Sequence, residues 1–417
     1  MRHGIVVASA VALVIASVVG ASAQSQPAPM AAPQAAADDP VRTLVGRLDL
    51  EKYKATIKGL TQFGDRRQGT DRSRAANDWI EAQLKSYGCT NTERITYDFQ
   101  PVVRATAGGS ASSANPQGRG GRGGGNPQKG FRGLTGVNND PTSQPDLKVR
   151  ELDSLPSTPG LRDEVYCTKI GFTRPDEMYI IAGHMDGLGY AEAANDNGSG
   201  TALVMELARI FSAPDVQVDR SVRFILWNNE ETGLNGARAY VDQRRDLQGK
   251  EDPPGSGKYP EPRWLGMIQH DMMLFDHGMP RADGTLSPEQ RPEADVNVEF
   301  AGTSKMANDS QALAWLFRAA NDRYATDYPA TVGDRMSNTD SAAFQDDVAA
   351  ISLREAERLS QVGSGWDPHW HKTTDMFATF SEKDFRLGLN AAQTTLAAIA
   401  QLAGAKTTAR AASIGSK

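Results

Sequence analysis

Residues 164–324 alternate between short apolar runs and helically spaced segments, and that alternation predicts an α/β fold with helices on both faces of a sheet. Two further observations agree. The runs MYIIAGH and SVRFILWNN are dense in large apolar side chains, as in buried strands. A length of 417 residues suits a large α/β domain carrying insertions.

Each element has a local justification. DRSRAANDWIEAQLKSYG, residues 71–88, places Ala76, Trp79, Ile80, Leu84 and Tyr87 at helical spacing and ends on Gly88, suited to the left-handed position that closes a helix. ERITYDF follows as a strand. EVYCTKIGF and MYIIAGH read as strands, GSGTALVMELARIF as a helix, SVRFILWNN as a strand, GLNGARAYVDQRR as a helix and WLGMIQHDM as a strand. VNVEF and VAAISL are further strands, with the helix SQALAWLFRAANDRY between them. The last helix opens at Ser381, whose hydroxyl can cap it while Asp384 reciprocates, and LGLNAAQTTLAAIAQLAG continues it.

Residues 1–23 have the form of a signal peptide: Arg2 and His3, an apolar run from Ile5 to Val19, then Ala21-Ser22-Ala23 as a small-x-small cleavage site. Cleavage after Ala23 is expected, with an uncleaved anchor as the alternative. No later segment approaches spanning length, so a secreted or periplasmic protein without stable membrane insertion is expected. Residues 24–40, rich in Ala, Pro and Gln, read as a disordered tether to a single domain at 41–405, and 406–417 as a disordered tail. Residues 105–145 contain GRGGRGGGNPQ and almost no large apolar side chains, so they read as a flexible insertion.

The chain has 45 basic and 51 acidic residues; removing residues 1–23 deletes only Arg2, leaving a net charge of about −7. That sign argues against nucleic acid as a partner, despite the Arg-Gly repeats. Cys89 and Cys167 flank probable strands, and either one disulfide or two buried thiols is compatible with them.

Several familiar sites are excluded. There is no HExxH for a zinc site on one helix and no GxSxG elbow, and PGSGKY lacks the spacing of a phosphate loop. What remains is a dispersed set of acids and imidazoles at the ends of apolar segments, where open α/β sheets build their sites. His184 ends MYIIAGH, and Asp186 follows closely enough to orient its imidazole. Asp196 lies in the Gly-rich turn AANDNGSG, the adjacent pair Glu230 and Glu231 follows SVRFILWNN, Asp271 ends WLGMIQHD, and His371 lies in DPHWHKTTD. Singly, His184 reads as structural and Asp196 as a helix cap. Together, two imidazoles and three carboxylates suit two Zn2+ ions with one carboxylate bridging. Of the two glutamates, one can bind metal while its neighbour stays free to accept a proton.

The segments GHMDG, ANDNGSGTA, WNNEETGLNGARAYV, HDM and WHKTTD, in this order and spacing, resemble the zinc aminopeptidase family numbered twenty-eight among the metallopeptidases. The resemblance runs from about Thr61 to Leu402. It implies a mostly parallel, mixed sheet between helical layers. It further implies that one zinc is held by His184 and Asp271 and the other by Glu231 and His371, with Asp196 bridging and Glu230 as general base. A cis peptide between Asp196 and Asn197 is also implied. Asp340 in SNTDSAAF matches a substrate-side segment, although Ser341 stands where a histidine is common. Trp370 replaces a tyrosine of several relatives, so its indole either donates to an oxyanion or lines a pocket. His270, His369 and His277 fall outside the pattern.

The activity implied is removal of N-terminal residues from peptides. Glutaminyl cyclase chemistry, carboxypeptidase action with an arginine patch for the substrate carboxylate, and a non-catalytic binding protein on the same fold are the alternatives.

Overall fold

The computed structural model describes residues 39–100, 137–275, 296–334, 338–355, 367 and 369–408. The expected signal peptide, most of the tether, residues 105–136 of the insertion, the end of the tail and His277 lie outside the described residues. In chain order the elements are α1 (Pro40–Val45), α2 (Leu50–Thr61), α3 (Asp71–Ser86), β1 (Glu93–Phe99), α4 (Leu147–Asp153), β2 (Gly160–Lys169), β3 (Arg174–His184), α5 (Gly200–Phe211), β4 (Val216–Gln217), β5 (Arg220–Trp227), α6 (Asn235–Arg244), β6 (Arg263–His270), β7 (Val296–Phe300), α7 (Ala307–Tyr324), β8 (Ala330–Asp334), β9 (Ala350–Glu355), α8 (Glu382–Leu402) and β10 (Lys406–Thr407). Every strand and helix read from the sequence is present.

Eight strands form one sheet in the order β1-β2-β5-β3-β6-β9-β7-β8. The central block β5-β3-β6-β9 is parallel throughout, β7 and β8 are parallel to each other, and the pairs β1/β2, β2/β5 and β7/β9 are antiparallel. The mixed sheet agrees with the expectation. From β3 the chain crosses to β5 on one side, then returns to β6 on the other. That reversal opens a crevice at the carboxyl ends of the three strands.

The pleat sorts side chains between two apolar layers. Tyr179, Ile181, Val222, Phe224 and Leu226 face a large layer built with α1, α2, α3, α5, α7 and α8. Met178, Ile180, Ala182, Ile225 and Trp227 face a thinner one, in which α6 supplies Ala237, Tyr240 and Val241. There Trp227 packs on Tyr240 at 5.3 Å and on Phe344 at 5.8 Å between ring centroids, and Trp264 packs on Phe344 at 5.2 Å. Each such fully buried side chain contributes on the order of 2 kcal/mol through its apolar area.

Three segments expected to lack structure are folded at their margins. Asp39 accepts from the backbone of Val41 and Arg42, so α1 starts inside the expected tether. Lys406 and Thr407 pair with Gln217 and Val216, inside the expected tail. Residues 137–145 of the insertion are tied down by polar contacts: Asp140 caps a turn at Pro141–Ser143, and Gln144 is buried. Side-chain amides and caps here supply the order that apolar content cannot. Helix α2 is not among the elements read from the sequence, although Tyr53, Ile57 and Leu60 recur at helical spacing and Asp49 caps its first turn. At α8 the carboxylate of Asp384 accepts the Ser381 backbone N–H, as the capping pattern predicts.

Cys89 and Cys167 form a disulfide, which decides between the two alternatives and ties the end of α3 to β2 across 78 residues of sequence. Replacing both cysteines with serine should lower stability by about 2–4 kcal/mol, read as a lower urea midpoint at unchanged slope. An unchanged midpoint would show that the cross-link contributes nothing.

Candidate metal centre

The crevice takes one or two side chains from the end of each central strand. His184 is the last residue of β3, Glu230 and Glu231 follow β5 by three and four positions, and Asp271 follows β6 directly. Asp196 lies in the turn before α5, and its peptide bond to Asn197 is cis, as the resemblance implies. Gly200 lets that turn meet the sheet: a Cβ there would stand 2.4 Å from the His270 carbonyl oxygen and 2.5 Å from Asn197 Oδ1.

The turn buries Ala194 in the large apolar layer and is oriented by polar contacts. The carboxylate of Asp375 accepts the backbone N–H groups of Asn195 at 2.7 Å and Asp196 at 3.0 Å. Asn197 Oδ1 accepts from Gly200 N at 2.9 Å, while its amide donates to the His270 carbonyl at 2.8 Å. Asn195 donates to Glu355 at 3.0 Å and Asp367 at 2.8 Å. Their effect is to fix the direction of the Asp196 side chain.

That carboxylate faces both imidazoles. Asp196 Oδ1 lies 3.5 Å from His184 Nε2, which also has Asp271 Oδ1 at 3.4 Å. Asp196 Oδ2 lies 2.9 Å from His371 Nε2, which has Glu231 Oε2 at the same distance. All five side chains predicted to bind metal therefore meet in one crevice. One donor atom each from His184, Asp196 and Glu231 falls within 4.8 Å of the others. His371 Nε2 and Glu231 Oε1 are buried without an aligned hydrogen bond among the described residues. Nitrogen and oxygen donors gathered in a buried site fit a borderline cation such as zinc.

Asp186 works differently from the expectation. The His184 Nδ1 contact, at 3.0 Å, is to the Asp186 backbone carbonyl, and the carboxylate lies 3.8 Å away. A carbonyl only accepts, so Nδ1 carries a proton, and Nε2 is the nitrogen turned toward Asp196 and Asp271. The Asp186 carboxylate instead accepts the backbone N–H groups of Glu230 at 3.1 Å and Glu231 at 3.4 Å. It orders the glutamate pair rather than the imidazole.

Glu230 is buried, and its carboxylate makes no hydrogen bond among the described residues. Burial pushes its pKa well above the usual range, and the charges of Asp340, Glu231 and Asp271 add to this against His184. Asp340 is likewise raised by burial; its Oδ2 accepts from Gln269 at 3.0 Å. Burial opposes ionisation of Asp271 too, but His184 and the guanidinium of Arg354, 2.9 Å from Oδ2, hold it below the usual carboxylate range. Trp370 stacks on the His371 ring at 4.1 Å and 26°. His270 is a core histidine, bonded to the Ala182 carbonyl at 3.0 Å and Thr395 Oγ1 at 2.8 Å, with its pKa lowered by burial to about 4. His369 contacts Thr374 at 2.8 Å. Neither joins the cluster.

Sequence reasoning missed three supporting residues. Asp375 and Arg354 act on backbone or on another side chain, and nothing in their sequence context announces that. Arg66 is fully buried and donates to the carbonyls of Gly64, Met185, Glu192 and Ala193, organising the chain between His184 and Asp196. An invitation to look was present in FGDRRQGTD, a charged run beside apolar α2.

Burial disfavours a charge on His371, but the carboxylates of Glu231 and Asp196 outweigh it and push the pKa from 6.5 up to about 10. In protein without metal, the stabilisation from this imidazolium is present below 6.5 and is lost as pH rises through about 10. A zinc ion held by His371 would have to displace that proton, so zinc affinity should follow the opposite trend and rise with pH, up to about tenfold per unit near neutrality. Calorimetric titration of metal-stripped protein in buffers of differing ionisation enthalpy would register the released proton. Affinity independent of pH would contradict the assignment.

The family model for peptidase family M28 matches residues 166–394. Aminopeptidase YwaD from Bacillus subtilis (strain 168) is 44% identical over 68 residues, which cover 16% of this chain and 14% of that protein. Among solved structures, the zinc aminopeptidase BSAP from Bacillus subtilis superposes with a TM-score of 0.56 at 17% identity, covering 85% of this chain and 95% of that one. The glutaminyl cyclase of Porphyromonas gingivalis superposes at 0.51 and 12% identity, covering 85% and 99%. These likenesses concern the fold. The family match spans more than half of the chain and contains every residue of the crevice described above, and the chain belongs to peptidase family M28.

Proposed function

We propose that this protein is an exported dinuclear zinc aminopeptidase that removes N-terminal residues from peptides. The observation that carries the reading is the Asp196 carboxylate, whose two oxygens each face a different imidazole that is paired with a second carboxylate. His184 and Asp271 would hold one ion, Glu231 and His371 the other, with Asp196 shared. Bound zinc would supply Lewis-acid polarisation of the scissile carbonyl and a more acidic water.

The chain's own residues do the rest. Glu230, whose ionised form is destabilised by burial and so is a strong proton acceptor, accepts the proton of the attacking water on its carboxylate and passes it to the leaving amine. Asp186 holds the Glu230 backbone in place for that transfer. Asp340 and Trp370 line the substrate side, Trp370 by covering the His371 ring.

Acids dominate the crevice, and Arg354 beside it is bound to Asp271. That guanidinium is paired with a proposed zinc ligand and not turned to a substrate carboxylate, which favours aminopeptidase over carboxypeptidase action. Two complete donor sets favour hydrolysis over single-zinc cyclisation. Export is supported by the cleavable form of residues 1–23 and by the Cys89–Cys167 disulfide, which suits an oxidising compartment.

Replacing Glu230 with Gln should leave two zinc ions per chain while turnover of aminoacyl chromogenic amides falls about 10²–10⁴-fold. Asp196→Ala should empty both positions. Assays with N-terminal Gln peptides run alongside would detect cyclisation. Aminopeptidase turnover by Glu230→Gln at the parent rate would remove this residue from the proton transfer.

A further inference from the structure

Residues 137–150 run across two loops of the centre, and the proposed chemistry does not use them. One loop joins His184 to Asp196; the other carries His371. Each holds a non-glycine residue in left-handed backbone: Tyr190 at φ 59° and His371 at φ 56°. That region is disfavoured for residues with a Cβ, so neighbouring contacts must hold it.

The crossing segment supplies them. The Asn138 backbone N–H donates to the His371 carbonyl at 2.9 Å, and its side-chain amide donates to the Gly189 carbonyl at 3.0 Å. The Gln144 amide donates to the Tyr190 carbonyl at 2.6 Å and to the Thr373 carbonyl at 3.0 Å. Gln144 is only 1% exposed, and it is fixed in turn: its Oε1 accepts from Asp146 N at 3.0 Å and its carbonyl from Arg150 Nε at 2.7 Å. Gly189 completes the join, since a Cβ there would stand 2.5 Å from the His371 carbonyl carbon.

The two halves of the centre are thus supported differently. His184 and Asp271 rest on the Asp186 carbonyl and on Arg354, within the sheet ends. His371 sits on a loop whose backbone is gripped by the crossing segment.

We propose that Asn138 and Gln144 are positioning residues that lock the His371 loop to the loop before Asp196, so that the half-site of Asp196, Glu231 and His371 retains its ion only while this strap is seated. The inference rests on the reading of the crevice as a metal pair.

The test measures zinc retained per chain during graded competition with a chelator, by native mass spectrometry, for the wild type, Gln144→Met, Asn138→Ala and their double variant. His371→Ala and Asp271→Ala identify which ion belongs to which half. Gln144→Met should weaken the ion lost in His371→Ala on the order of tenfold and leave the other unchanged. The double variant should lose more. Asn138→Ala, at a half-buried position, reads the same effect if the buried substitution impairs folding. Wild-type retention of both ions in the folded variants, or equal weakening of both, would overturn the strap. A wild-type protein that takes up fewer than two zinc ions would overturn the metal-pair reading itself, and the inference with it.

Discussion

The arrangement of this crevice depends on one carboxylate being held between two imidazoles. Asp196 can face His184 and His371 at once only because its backbone is fixed by Asp375 and the flanking asparagines. A flexible aspartate would turn to one partner and leave the other unpaired. The surrounding polar groups are therefore spent on backbone direction rather than on direct contact with a ligand, and buried acids such as Asp375 are tolerated because backbone N–H groups satisfy them.

The sheet sets the distances and the loops refine them. Parallel neighbours β5, β3 and β6 end on one edge, which brings Glu230, His184 and Asp271 together without any contact between their own segments in sequence. His371 arrives from far along the chain. Its loop is anchored by the segment 137–150 and not by a strand end, so its half of the crevice has less support from the sheet than the half of His184 and Asp271.

How much of this was legible in the sequence follows from what each residue does. Asp196 and His371 lie in turns and could be found through the motifs ANDNGSGTA and WHKTTD. His184, Glu231 and Asp271 could be found because they follow apolar segments, and strand ends are visible in the pattern. The α/β class was legible for the same reason. The direction of the Asp186 carboxylate was not, since residue spacing does not distinguish a carbonyl contact to His184 from a side-chain one. Nor were Gln144 and Arg66, which serve backbone carbonyls on distant loops. Residues 137–145 misled for a physical reason: little apolar surface argues against order, yet four amide hydrogen bonds from Asn138 and Gln144 supply it.

The aromatic group on the thin side of the sheet has an evolutionary consequence. Trp227 lies three positions before Glu230, and Phe344 four positions after Asp340, with Tyr240 and Trp264 interlocked between them. Resizing any one ring displaces two buried acids together. Drift at these four sites is therefore expected to be epistatic, with single changes selected against and compensating pairs accepted.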